Sequence, residues 1–148
     1  MEGLKSKRDF YIYMAGLFDG EGCVMISHSK KKEIYRLLIS MSNNFPGVIK
    51  LAKNLFGGSI HNRSIWSTNK GHGWLWRASF KKAERMILKI HPYAIIKKEE
   101  IELALRFRSL KKGSGGRGIK LSGKEINLRK NMYRKMREIK TLRNRKKA

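Results

Sequence analysis

Phe10, Met14, Leu17 and Phe18 recur at helical spacing behind Ser6 and Asp9, which stand as in a capping box. A first helix is therefore predicted over residues 7–18, ended by Gly20 and Gly22. "CVMISH" (23–28) and "IYRLLISMS" (34–42) are rich in β-formers and flank the turn "SKKKE", which reads as a hairpin. Pro46 suits the first position of a second helix, whose apolar stripe Val48, Ile49, Leu51, Ala52, Leu55 and Phe56 runs to Gly57-Gly58. A second hairpin follows: "SIHNRSIW", a polar tip "STNKGHG", then "WLWRASF". Ala83, Met86, Ile87 and Ile90 predict a third helix stopping around His91-Pro92. Tyr93 to Leu110 predict a fourth, with Ile95, Ile96, Ile101, Leu103, Leu105 and Phe107 as its apolar content.

Helix, two strands, helix, two strands, helix, helix is an α+β plan: a four-stranded antiparallel sheet with helices on one face. The core domain is expected over 1–110, followed by a basic, glycine-rich linker over 111–121. Ser122 and Glu125 then form a capping box for a basic C-terminal helix of the same domain over 122–148, carrying Ile126, Leu128, Met132, Met136 and Ile139.

If helices cover one side of the sheet, the other is wet or binds something. Polar residues alternate along every strand: Ser27 and Ser29, Arg36 and Ser40, His61 and Arg63, Arg77 and Ser79. Side chains of one parity share a face, so these groups can form one surface. Trp74 and Trp76, with the parity of Ala78 and Phe80, belong to the core side. An ordinary solvated sheet would alternate in the same way. Lys30, Lys31, Lys32 and Lys70 at the hairpin tips favour phosphate contact instead, and an arginine on a twisted ribbon can read guanine bidentately in a major groove.

Charge strengthens that reading. The 148 residues hold 35 Lys and Arg against 11 Asp and Glu, a formal +24, the footprint of a nucleic-acid binder, though a membrane-surface protein could also be basic. From Arg106 onward there are 17 basic and 2 acidic residues, which repel one another unless phosphates are near. No apolar run approaches the roughly 18 residues of a spanning helix, and residues 1–9 lack the apolar stretch of a signal peptide. The expectation is a soluble intracellular protein with no membrane partner, in a bacterial or phage cytoplasm or in an organelle. Cys23 is alone, which excludes an internal disulfide and a cysteine-rich zinc site. His28, His61, His72 and His91 show no metal-ligand spacing, and no Ser-His-Asp set is present.

"MAGLFDGEG" at 14–22 resembles the LAGLIDADG motif of homing endonucleases, and the order of elements over 7–110 is similar to that family's αββαββα core. Met14 replaces the first Leu, Phe18 the Ile, Gly20 the second Ala and Glu21 the final Asp, so apolar positions stay apolar and the acid stays an acid. One motif copy implies a homodimer, with Ala15, Gly16 and Asp19 at the seam between the two first helices. The resemblance implies that Glu21 is catalytic and binds Mg2+ with the Gly20 carbonyl, Mn2+ being an alternative and Ca2+ a non-catalytic substitute. Asp19 takes the family's structural, helix-capping acid, Lys97 the basic residue near the scissile phosphate, and Asn43 a side chain that positions solvent. Ser27, Ser29, Lys31, Arg36, Ser40, His61, Arg63, Lys70, Arg77 and Ser79 would face double-stranded DNA. The function implied is site-specific cleavage of a long pseudo-palindromic target, leaving 3′ overhangs, in the homing of an intron or intein. An RNA-binding intron maturase and a non-catalytic DNA-binding regulator on the same scaffold are the alternatives, and the retention of Glu21 favours the nuclease.

Overall fold

The computed structural model describes residues 6–29, 31, 33–62, 73–110 and 121–145. Along them run α1 (Lys7–Glu21), β1 (Gly22–Ser29), β2 (Ile34–Asn43), α2 (Pro46–Phe56), β3 (Ser59–Asn62), β4 (Trp74–Ser79), α3 (Phe80–Ile90), α4 (Lys98–Ser109) and α5 (Gly123–Arg145). The α+β fold read from the sequence is the one observed. Lys30, Lys32, Arg63, Trp66, Lys70, His72 and nearly all of the expected linker lie outside the described residues.

The expected capping box opens α1: Asp9 N donates to Ser6 Oγ at 3.1 Å, and Ser6 N donates to Asp9 Oδ2 at 2.9 Å. Met14, Ala15 and Phe18 bury one face of the helix. It does not stop at Phe18, as the two glycines suggested, but continues through Gly20 to Glu21. Gly22 makes the cap. Its N–H donates to the Phe18 carbonyl, and its Cα lies so close to the Phe18 ring that any Cβ would overlap it. Glu21 is thereby fixed as the last helical residue.

The antiparallel sheet has the order β1-β2-β4-β3. Its register sorts the two faces. Val24, Ile39 and Ala78 form one cross-strand row toward the helices, and Met41, Trp76 and Ile60 another. Cys23, Ser40, Arg77 and Ser59 form a row of the opposite parity. Trp76 locks the far side of the core by donating Nε1–H to Gly57 O at 2.8 Å. Gly58, at φ +99°, is needed there because a side chain would meet the Arg77 carbonyl and the indole.

Three sequence expectations fail locally. The fourth helix begins at Lys98 rather than Tyr93, and Ile95 is 84% exposed instead of contributing to an apolar stripe. The amides of Ile95, Ile96 and Lys97 all donate to the Asp19 carboxylate, so a distant side chain satisfies the groups a helix would have used. Phe80 is not a core residue. It starts α3 at φ +52°, is largely exposed, and lies 5.7 Å beneath the Arg36 guanidinium. On α5, Leu128 is exposed while Arg129 is buried over the Phe107 ring. Met136 and Ile139 do face inward, docking α5 on α4 and β1.

Candidate active site and nucleic-acid interface

A helix C-terminus exposes unpaired carbonyls with partial negative charge, and α1 has no basic residue in its last turn. Glu21 adds a full negative charge to that end. The side chain is exposed, with no ion pair or hydrogen bond among the described residues. Such a place attracts a cation, and carboxylate plus backbone carbonyl oxygens suit a hard divalent one. The Gly20 carbonyl stands in the same turn. Among the described residues no group of three or more His, Cys, Asp or Glu comes together.

Asp19, two residues earlier, points the other way. It is buried and accepts from Ile95 N at 2.7 Å, Ile96 N at 3.1 Å and Lys97 N at 3.0 Å. Three hydrogen bonds to one carboxylate tie the loop before α4 to the end of α1. They deliver Lys97, only 5% exposed, so that its Nζ donates to the Asp19 main-chain carbonyl. Burial pushes the Lys97 ammonium below its ordinary pKa, and the Arg143 guanidinium adds to this; Glu100, Asp19 and Cys23 oppose the shift. The acid and the lysine expected at the site are thus brought to the same end of α1.

Asn43 has a different occupation: its Oδ1 accepts from Phe45 N at 2.8 Å, forming the turn that leads into α2. Ala15, expected at a helix seam, is fully buried within the chain. The exposed side of α1 is instead made by Ile12, Tyr13, Gly16 and Gly20, and at both glycines a Cβ would meet nothing within 4 Å.

The register places Ser27, Ser29, Arg36, Ser40, Arg77, Ser79 and His61 on one face of the sheet, with Ser40 the least exposed. Ser27 Oγ donates to Arg36 O at 3.3 Å, and His61 Nε2 lies 2.9 Å from Ser59 Oγ. Lys31 is exposed beyond β1. Met25, Leu38 and Leu75 share that face, an apolar component that alternation of polar residues alone does not reveal. Lys82 was also missed; it sits with Arg77, Ser59 and Ser79 around a shallow depression beside β4. So was a buried group at the α4–α5 contact. Arg143 Nη1 donates to both oxygens of Glu100 at 2.6 Å, and Lys140 Nζ stands 3.1 Å from Cys23 Sγ. Helical spacing within α5 could have flagged Lys140 and Arg143 as near neighbours, but not their partners on other elements.

Together these features define an α+β protein with an acid and a lysine at one helix end and a polar, basic sheet face that no helix covers among the described residues. The family model described as "LAGLIDADG endonuclease" matches residues 14–103, a span that contains both Glu21 and Lys97, and the chain belongs to that family. No curated protein sequence gives a significant match. Among solved structures the fold is similar to the archaeal intron-encoded homing endonuclease I-Vdi141I complexed with DNA, at 14% identity over 90% of this chain and 86% of that one, with a TM-score of 0.70. It is also similar to the homing endonuclease I-TnaI, at 14% identity over 94% and 99% of the two chains and a TM-score of 0.63. I-CvuI, in complex with its target in the presence of calcium, gives 13% identity over 87% and 95% and a TM-score of 0.58. At these identities the likeness is one of fold.

Proposed function

We propose that this chain is a site-specific homing endonuclease that works as a homodimer on a long pseudo-palindromic DNA target. It needs Mg2+, or Mn2+ in its place, and leaves 3′ overhangs. The observation that carries this reading is the presence, in the last turn of α1, of an exposed Glu21 and of a buried Lys97 held on the Asp19 carbonyl. The exposed α1 face made by Ile12, Tyr13, Gly16 and Gly20 supports close approach of a second copy, whose two-fold would set two Glu21 residues side by side. Like charges that close repel, and a cation between them relieves the repulsion.

Glu21 and the Gly20 carbonyl would hold the metal. When bound, Mg2+ supplies an acidified water and charge neutralisation at the phosphate oxygens. Lys97 places a cation where negative charge develops on the phosphoryl group, from a pocket too dry to screen it. Asp19 keeps that lysine in register through the backbone of residues 95–97. Arg36 and Arg77 offer bidentate donors to base edges from the open sheet, and Ser27, Ser29 and Ser79 shorter polar contacts. Arg63 and Lys70, which fall between β3 and β4 in the sequence, are proposed as further DNA contacts. Two solved complexes of I-CvuI with DNA were obtained in the presence of Ca or of Mg, the latter with DNA not cleaved, which supports divalent-ion use by the family. Among the described residues no helix is long and apolar enough to cross a membrane.

The test is a selection for cleavable sequences from a random duplex library with Mg2+, repeated with Ca2+. The expected product is a two-fold-related consensus cut only with Mg2+. A bound consensus that is never cut with Mg2+ or Mn2+ would replace the nuclease with a DNA-binding regulator; retention of RNA alone would point to a maturase.

A further inference from the structure

Lys97 and Glu100 stand three residues apart at the start of α4, a spacing at which opposite charges on a helix ordinarily meet. They are not joined here. Both oxygens of Glu100, which is 1% exposed, are taken by Arg143 from the last turn of α5, while Lys97 turns to the Asp19 carbonyl. The choice is not set by the lysine's own comfort. A cation at a helix N-terminus faces the positive end of the dipole, and burial adds to the cost. A buried carboxylate one turn away would be the better partner if it were free.

We propose that Arg143 is a positioning residue for strand cleavage: by occupying the Glu100 carboxylate it keeps the Lys97 ammonium on the Asp19 main-chain carbonyl, in the last turn of the helix that ends at Glu21. The inference rests on the nuclease reading above. It gives the last turns of the basic C-terminal helix a role that is internal and electrostatic, separate from phosphate binding. Removing Arg143 leaves a buried carboxylate unpaired, which is strongly unfavourable, and Lys97 is the cation on its own helix that can reach it. Lys140 is the other nearby cation, held at Cys23.

The experiment compares Arg143→Met, Arg143→Lys, Glu100→Gln and the double variant Glu100→Gln/Arg143→Met on a selected target. Single-turnover cleavage is measured with Mg2+ and DNA affinity with Ca2+. Arg143→Met is expected to slow cleavage roughly 100-fold, the scale of misplacing one group at a reacting centre, with affinity unchanged. Arg143→Lys restores most of the rate. The double variant, which removes the competing carboxylate as well, cleaves faster than Arg143→Met alone. If α5 acted only as packing, removing a second partner would leave the rate equal or lower, and that result would overturn the proposal whether or not either variant is less stable.

A crystal structure of Arg143→Met gives a readout that needs no cleavage. Lys97 Nζ on the Glu100 carboxylate supports the inference; Lys140 on Glu100 with Lys97 unmoved refutes it. A native protein that cuts nothing would instead count against the nuclease reading, and the crystallographic arm would still decide the position of Lys97.

Discussion

The open sheet face and the junction of α1, α4 and α5 are built on opposite principles. On the sheet, Arg36, Arg77, Ser27 and Ser79 come from a regular ladder and make few bonds to one another, so each can be exchanged without altering the backbone that presents it. At the junction, Asp19 fixes three amides, Lys97 answers to Asp19, and Glu100 answers to Arg143. No member of that set can change alone. Under the proposed function, such an arrangement would let the sequence read by the sheet drift while the chemistry stays fixed. The contrast also predicts two kinds of mutational effect: large and coupled at the junction, small and additive on the sheet.

The largest effect is expected at Glu21. Glu21→Gln keeps shape and removes charge from an exposed side chain, so cleavage should fall by roughly a thousandfold or more while folding and DNA affinity are retained. Single-turnover kinetics and a binding titration check this, and a variant that still cuts at the native rate would remove the acid from the chemistry. Asp19→Asn should act through stability instead. An amide can accept only some of the three hydrogen bonds and offers no charge, so a loss of about 3 kcal/mol is expected in urea unfolding. Unchanged stability would mean the 95–97 loop holds its shape without the carboxylate.

The same contrast explains what could be read in advance. Strand parity is a local property with a period of two, and it put Arg36, Ser40, Arg77 and Ser79 on one face before any coordinates. The motif singled out Asp19 and Glu21, although it did not show that α1 continues through Gly20 to Glu21. The extent of α4 was not, because its start is decided by Asp19, 76 residues or more away from the amides it binds. Phe80 misled for a related reason: strand alternation extended through it, but the chain had already turned into α3 at a positive φ. Apolar content alone placed Leu128 inward, whereas the register of α5 buries Arg129 over Phe107. Long-range pairs between polar groups, such as Arg143 with Glu100, leave no periodic trace at all.

On the sheet, Arg36→Ala and Arg77→Ala should each weaken binding to the preferred target by about 1–3 kcal/mol and relax the preference at one position. Both side chains are exposed, so the fold should be affected by no more than about 0.5 kcal/mol. Competition binding against a library of single-base variants measures this. A uniform loss across all variants would reassign the arginine to a phosphate, and the sheet would then carry less of the reading than its geometry suggests.

The smallest effect is expected from the outer side of α5. Arg134 and Arg137 are exposed there, on the opposite side from the buried Met136 and Ile139, and Arg137 lies over the Tyr133 ring at 5.8 Å. They touch neither Lys97 nor the Asp19 loop through any bond among the described residues. If they reach phosphates, each substitution by alanine lowers the slope of log affinity against log salt by about 1 and weakens binding to all sequences alike. Cleavage of bound DNA should not change. Arg143, on the same helix, should behave in the reverse way, slowing cleavage with no change in salt dependence. A common response at all three positions would break the distinction, because it would make α5 a single phosphate clamp with no separate hold on the lysine.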